Sequence, residues 1–281
     1  MRRIAGTCLA LALLVPLVGG GAGCAMIQAT GERKLMLLTW DQEIQLGREA
    51  APDFEKEFGG RLEDLAVQAY VRSVGEGVSR STTLPDLPYQ FAVLNSKVVN
   101  AFALPGGPVY VTRGLLEKLA TEGELAAVLG HEMGHVNARH GAQQVSRQVG
   151  VQVIMEVIGA AAGRTETGGT WQQAASLAKV VGALVDLKYS RDMESQSDRL
   201  GLDYLAASGY APGEMVRLLQ IFVSLSEGGG QSEWLSTHPN PENRVQTVQA
   251  QIREKYADRG GRVADTEYQR EVLDRLSKAG G

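Results

Sequence analysis

Apolar positions in the first part of the chain recur at helical spacing. Ile44, Leu46 and Ala50 follow Thr39 and Gln42, a pair at capping-box spacing, which predicts a helix that starts near residue 40 and ends at Gly59-Gly60. Leu65, Val67, Val71, Val74 and Val78 make a second stripe, closed by the turn-rich Ser81-Thr82-Thr83-Leu84-Pro85. The period then shortens. Residues 89–94, 98–104 and 108–112 are brief runs rich in aromatic and branched side chains, the first two separated by Asn95-Ser96 and the last two by the tight turn of Pro105-Gly106-Gly107. They predict a small antiparallel sheet ahead of a helix that begins near Leu115.

Thr121 and Glu124 repeat the capping-box spacing, and Leu125, Val128, Leu129 and Met133 extend an apolar stripe, so residues 122–140 read as one long, largely buried helix. Residues 149–163 and 174–187 are apolar but interrupted by Gln152 and Glu156 in the first, Lys179 and Asp186 in the second. Neither has the length a bilayer needs, which predicts buried or interfacial helices. A polar loop at 164–170 separates them, and Gly228-Gly229-Gly230 makes a flexible break ahead of His238. The charged stretch 251–281 reads as a solvated helix and tail. The expected fold is α+β, mainly helical, with one catalytic domain over residues 41–250 and a tether over 24–40.

Composition narrows the partners. The chain has 281 residues, 44% hydrophobic and 21% charged, an ordinary globular balance, and 28 basic against 32 acidic side chains leave no basic field for a nucleic acid. Its two cysteines, Cys8 and Cys24, both lie near the amino terminus, so any metal in the body must use nitrogen and oxygen ligands. Residues 1–23 run from Arg2-Arg3 through an apolar core to Gly19-Gly20-Gly21-Ala22-Gly23, the order of a secretory signal. Ala22-Gly23-Cys24 resembles a bacterial lipobox, with Gly21 where a branched aliphatic residue is usual. The resemblance implies a lipid on Cys24, with ordinary cleavage and a soluble periplasmic or secreted protein as the alternative. Ala25 after that cysteine resembles the sorting signal for the outer membrane.

Three of the four histidines, His131, His135 and His140, fall within ten residues. His131-Glu132-Met133-Gly134-His135 is the HExxH pattern, in which two imidazoles one helical turn apart share a face and reach one zinc ion. Glu132 stands beside them as the general base, placed to take a proton from a metal-bound water. A longer HExxHxxGxxH site would need glycine at 138 and histidine at 141, where the chain has Ala138 and Gly141. His140, five residues past His135, is expected to turn away from the ligand face as a polar residue near the helix end. The third ligand is then a carboxylate. Glu194 and Asp198 stand four apart and share a helix face, so that one could bind zinc and the other accept an imidazole N–H. Asp186 and Asp192 compete, and spacing alone leaves the choice open.

Four stretches resemble a known family in order: residues 100–107 with 109–114, then 125–140, then 190–194 with 198–201, and finally Thr237-His238-Pro239 with Arg244. Together they are similar to the gluzincin metallopeptidases that include the heat-shock protease HtpX and the CAAX prenyl proteases, especially the periplasmic lipoprotein members. The resemblance implies one zinc ion per chain, Glu194 as its third ligand and Asp198 as the neighbour that orients a histidine. The family usually has Glu-x-Glu-Ala-Asp here, whereas this chain has Glu194-Ser195-Gln196-Ser197-Asp198. No tetratricopeptide-like tail follows, so a separate partner-binding domain is not expected.

The expected activity is zinc-dependent endoproteolysis of misfolded or stalled envelope proteins at the periplasmic side of the outer membrane, with polypeptides as substrates and envelope assembly machinery as a possible partner. A chaperone or assembly factor with a mainly structural or self-inhibited zinc site is the alternative, and hydrolysis of a cell-wall amide a third. His238 is expected either to donate to the tetrahedral oxyanion, supported by Arg244, or to fill zinc's open position. The turn after Leu104 and the strand at 109–112 are expected to present an edge for an extended substrate, with Asn100 holding the substrate backbone.

Overall fold

In the computed structural model, which describes residues 23–161, 170–227, 233–239, 241–257 and 259–279, the chain opens on an antiparallel hairpin, β1 (Gly23–Met26) against β2 (Arg33–Met36). The segment expected as a tether is therefore folded, held down by the burial of Ile27, Met36 and Leu38. The signal-like residues 1–23, except Gly23, and the polar loop at 164–170, except Thr170, lie outside the described residues, as does the glycine break at 228–230. Two helices follow, α1 (Trp40–Glu57) and α2 (Leu65–Ser79). Thr39 caps α1 with both halves of the capping box: its hydroxyl accepts the Gln42 N–H, and the Gln42 side chain accepts the Thr39 N–H.

Strands β3 (Gln90–Leu94), β4 (Ala101–Ala103) and β5 (Pro108–Thr112) form one sheet in the order β3-β5-β4. The sheet is mixed, where the sequence predicts an antiparallel one: β4 and β5 pair antiparallel, but β3 and β5 pair parallel. The cause lies outside the strands. Gln68 of α2 accepts the Val93 N–H and donates to the Val93 carbonyl, and the Leu62 N–H donates to that same carbonyl. The outer edge of β3 is thereby taken, and β4 pairs beyond β5. Residues 109–112 thus lie in the middle strand, and the free edge belongs to β4.

Beyond a single turn, α3 (Arg113–Leu116), the chain enters α4 (Glu122–Asn137), of which every residue is buried. Thr121 caps it by accepting the Glu124 N–H. The long helix expected to run to residue 140 stops at Asn137, because Arg139 takes a left-handed conformation at φ 59° and α5 (His140–Val149) starts afresh. Arg139 is held there by its guanidinium, which donates to Glu43 at 2.7 Å and to the Leu38 carbonyl at 2.5 Å and lies over the Trp40 ring. Helices α6 (Val151–Ala161) and α7 (Thr170–Val185) match the two apolar stretches, and no helix among the described residues is long and apolar enough to cross a membrane.

Helix α8 (Arg191–Ala207) lies along α4 with backbone touching backbone. A Cβ on Gly134 would stand 2.9 Å from the Ser197 carbonyl oxygen, and one on Gly201 would stand 2.9 Å from the His131 nitrogen. Any side chain there would separate the two helices, so these glycines set how closely Glu194 approaches the histidines. Helix α9 (Gly213–Glu227) packs against α4, and after the short α10 (Glu233–Thr237) helix α11 (Pro241–Lys255) packs against both α9 and α8. The remaining chain is not a solvated tail. Helix α12 (Asp265–Tyr268), a π-helical turn (Gln269–Leu273) and α13 (Asp274–Ala279) bury Tyr268, Val272 and Leu276, a stripe at four-residue spacing. The Tyr268 hydroxyl donates to the Leu116 carbonyl, which pins this segment beside α3.

Candidate metal centre

Four potential ligands meet in the interior. His131 and His135 of α4, Glu194 of α8 and His238 just past α10 each offer an atom, and these atoms all lie within 4.8 Å of one another. The two Nε2 atoms of His131 and His135 are 3.1 Å apart, and Glu194 reaches them at 3.7 and 3.3 Å. Glu194 Oε1 and His238 Nε2 are buried without a hydrogen-bond partner, and Glu194 Oε2 has only the Arg244 guanidinium behind it as an ion pair. Buried lone pairs converging without protons between them are what a cation would satisfy, and nitrogen and carboxylate donors suit zinc.

Glu132 points both carboxylate oxygens into the same space with no hydrogen-bond partner, its Oε1 3.7 Å from His238 Nε2. Burial pushes its carboxyl up to about 7, with His131 and Arg244 pulling the other way. Burial likewise drives His135 and His238 well below the ordinary histidine range, so both imidazoles are neutral, the form in which they can ligate a metal. Asp198, one turn beyond Glu194, stands 3.1 Å from His131 Nδ1. Burial alone would raise its carboxyl, but the facing Arg244 guanidinium wins and holds it below the usual carboxylate range. Arg244 of α11 also reaches Glu194 at 2.5 Å.

The structure thus brings together His131, His135, Glu194, Glu132, Asp198, His238 and Arg244 from three separate helices and the turn after a fourth. It does not bring Asn100 to them through any hydrogen bond. Asn100 is fully buried before β4; its Oδ1 accepts the Ala101 N–H and its backbone N–H donates to Thr112, leaving Nδ2 without a partner. Cys24 pairs with Leu35 across the opening hairpin.

Two aromatic residues escape the sequence reading: Tyr189 stacks on His135 with ring centroids 3.8 Å apart, and Trp234 stacks on His238 at 4.7 Å. His140 corrects it. Far from turning away, its Nδ1 lies 3.0 Å from His135 Nδ1, because the left-handed Arg139 re-aims the chain. A third histidine close behind a helix with no polar face was the available signal. A small apolar recess beside Glu132 is walled by Phe102, Leu184, Leu187 and Tyr189.

An HExxH helix, flanked by a second helix that delivers a buried carboxylate to both histidines, is the architecture of a metal-dependent peptidase. Residues 65–252 match the model of Peptidase family M48, and the chain belongs to that family, which uses zinc. It is 30% identical over 240 residues to mitochondrial metalloendopeptidase OMA1 of Danio rerio, covering 80% of this chain and 49% of the relative. It is 28% identical over 245 residues to the beta-barrel assembly-enhancing protease of Yersinia pestis, 83% of this chain and 46% of the relative. Metalloprotease YcaL of Escherichia coli strain K12 matches at 26% over 210 residues, 75% of this chain and 76% of the relative. The chain spans about half the length of the first two.

Proposed function

We propose that the chain is a zinc-dependent endopeptidase of the bacterial cell envelope that cleaves misfolded or stalled polypeptides. The observation that carries this reading is Glu132: a buried carboxylate with both oxygens unpartnered, next to two imidazoles that already share Glu194. In a structural site such a group would be a cost of about 1–3 kcal/mol for each unmet oxygen, or more because it can carry charge. In a hydrolase it is the base.

In this reading His131, His135 and Glu194 hold the zinc ion, which supplies a Lewis acid able to polarise a peptide carbonyl and to acidify water. Glu132 takes the proton of the attacking water and delivers it to the leaving amine. His131 donates its Nδ1 proton to Asp198, which leaves Nε2 a lone pair, and Arg244 pairs with both Asp198 and Glu194 and keeps Asp198 ionised. An extended substrate adds to the free edge of β4, beside the recess walled by Phe102, Leu184 and Leu187. Asn100 acts there indirectly, by fixing where β4 begins.

The signal-like leader, Cys24 and the relative whose name ties it to β-barrel assembly support placement at the periplasmic face of the outer membrane, with a lipid on Cys24. The test is incubation of the protein with an unfolded polypeptide: cleavage with zinc, none with a chelator, and recovery on adding zinc back. Persistent cleavage in chelator, or none by either the unmodified chain or His238→Ala with stoichiometric zinc bound, overturns the reading.

One observation favours a self-inhibited resting site as a second reading. Thr237 Oγ1 is 2.7 Å from His238 Nδ1 and 3.0 Å from the Trp234 carbonyl. A hydroxyl that donates to that carbonyl accepts the Nδ1 proton, so Nε2 keeps its lone pair and serves as a fourth ligand until it withdraws.

A further inference from the structure

His135 is tied through three side chains to the hairpin at the start of the chain. Its Nδ1 meets His140 Nδ1 at 3.0 Å, and His140 Nε2 lies 3.1 Å from Gln196 Oε1. The Gln196 amide then donates to Glu32 Oε1 at 2.7 Å, and Lys34 pairs with Glu32 Oε2 at 2.9 Å. His140 is fully buried, so its two ring nitrogens have these partners and no solvent.

The protons along this path can be assigned in only one direction if His135 presents a lone pair to the cluster. Nε2 of His135 is the atom that faces His131 and Glu194, so its proton sits on Nδ1. Two Nδ1 atoms share a hydrogen bond only as donor and lone pair; His140 therefore accepts there and carries its own proton on Nε2. That N–H requires the oxygen of the Gln196 amide, which turns the amide nitrogen outward to the Glu32 carboxylate. The reverse assignment puts an N–H of His135 toward the Nε2 of His131, 3.1 Å away, and removes a lone pair from the cluster.

We propose that His140 and Gln196 are positioning residues that link the metal-binding imidazole of His135 to the carboxylate of Glu32, so that the opening hairpin sets the orientation and donor strength of a zinc ligand. The carboxylate polarises the amide, the amide polarises His140, and His140 draws on the Nδ1 proton of His135, which enriches the lone pair on Nε2. Glu32 lies in the connection between β1 and β2, in the same hairpin as Cys24. Whatever holds that hairpin in place is thus coupled to the metal centre. The proposal rests on His135 being a ligand, as in the proposed function.

The test is zinc affinity of the full chain, measured by competition with a chromophoric chelator at low and high salt. His140→Ala is expected to weaken binding about 10- to 100-fold, the usual cost of losing a partner of a ligand. Glu32→Gln, at a side chain 45% exposed, is expected to weaken it ~3-fold at low salt and less at high salt, where an exposed charge is screened. The exchange E32Q with Q196E moves the carboxylate against His140 and the amide outside it, and is expected to bind zinc at least as tightly as the unmodified chain. Should His140→Ala not fold, the two surface variants decide. Glu32→Gln with unchanged affinity at low salt, or an exchange variant no tighter than Glu32→Gln alone, overturns the proposal. A chain that binds no zinc at all overturns the proposed function together with it, whereas stoichiometric zinc with unaltered variants removes this link and leaves that function standing.

Discussion

Arg244 lays its guanidinium flat against Asp198, with Nε donating to Oδ2 at 2.7 Å and Nη2 to Oδ1 at 2.6 Å. The same group turns its third nitrogen to Glu194 and lies over the Trp234 ring, so one cation from α11 balances both carboxylates that α8 brings to the histidines. A pair buried this deeply gains little over an apolar contact when intact, yet removing one partner strands the other.

Arg244→Ala is therefore expected to destabilise the zinc-free protein by about 3–5 kcal/mol, the range for an orphaned buried charge. The loss is expected to be smaller in the zinc-loaded protein, because the ion supplies positive charge to Glu194. Urea unfolding of both forms checks this. Arg244→Lys keeps the charge without the two-pronged geometry and should fall between.

Glu132→Gln should retain zinc at full stoichiometry while cleavage of an unfolded polypeptide falls about 100- to 10,000-fold, the usual contribution of a general base. Metal analysis of the variant alongside its single-turnover rate separates the proton-transfer role from a role in holding the ion. An undiminished rate contradicts the assignment.

His238→Ala distinguishes the two roles open to that residue. Raised basal proteolysis, with zinc still held by His131, His135 and Glu194, is expected if His238 fills the fourth position at rest. Lost proteolysis with unchanged zinc affinity instead assigns it to the oxyanion.

Asp64 caps α2, its Oδ1 accepting the Ala66 and Val67 N–H groups, and pairs with Arg275 of α13. Asp64→Ala is expected to cost about 1 kcal/mol. Slight burial raises this carboxyl, but the two backbone donors and Arg275 outweigh it and lower it overall. A depressed carboxyl stabilises the fold above the unfolded value of about 3.9 and loses that contribution as pH falls through its lower folded value. The stability gap between the unmodified chain and Asp64→Ala should therefore stay constant from pH 7 to about 5 and close on further acidification, as denaturant unfolding at each pH will show.

What the sequence determined by itself is local. A capping box at Thr39, the helical stripes of α1, α2 and α4 and the one-turn spacing of His131 and His135 each follow from residues three or four apart, a separation over which backbone geometry alone decides who meets whom. Pattern also placed Glu194 and Asp198 on one face, though it could not choose between carboxylates; the family likeness did. Tertiary structure decided the rest. Gln68 took the edge of β3 and turned an expected antiparallel sheet into a mixed one, and Glu43 with the Leu38 carbonyl held Arg139 left-handed, which ended α4 early and delivered His140 to His135. Arg244 found Asp198 across 46 residues of chain, and Tyr268 anchored a charged tail to Leu116. Hydrophobic periodicity states which face of an element is buried but not against what, and a buried polar group acquires its partner only when two distant segments are packed together.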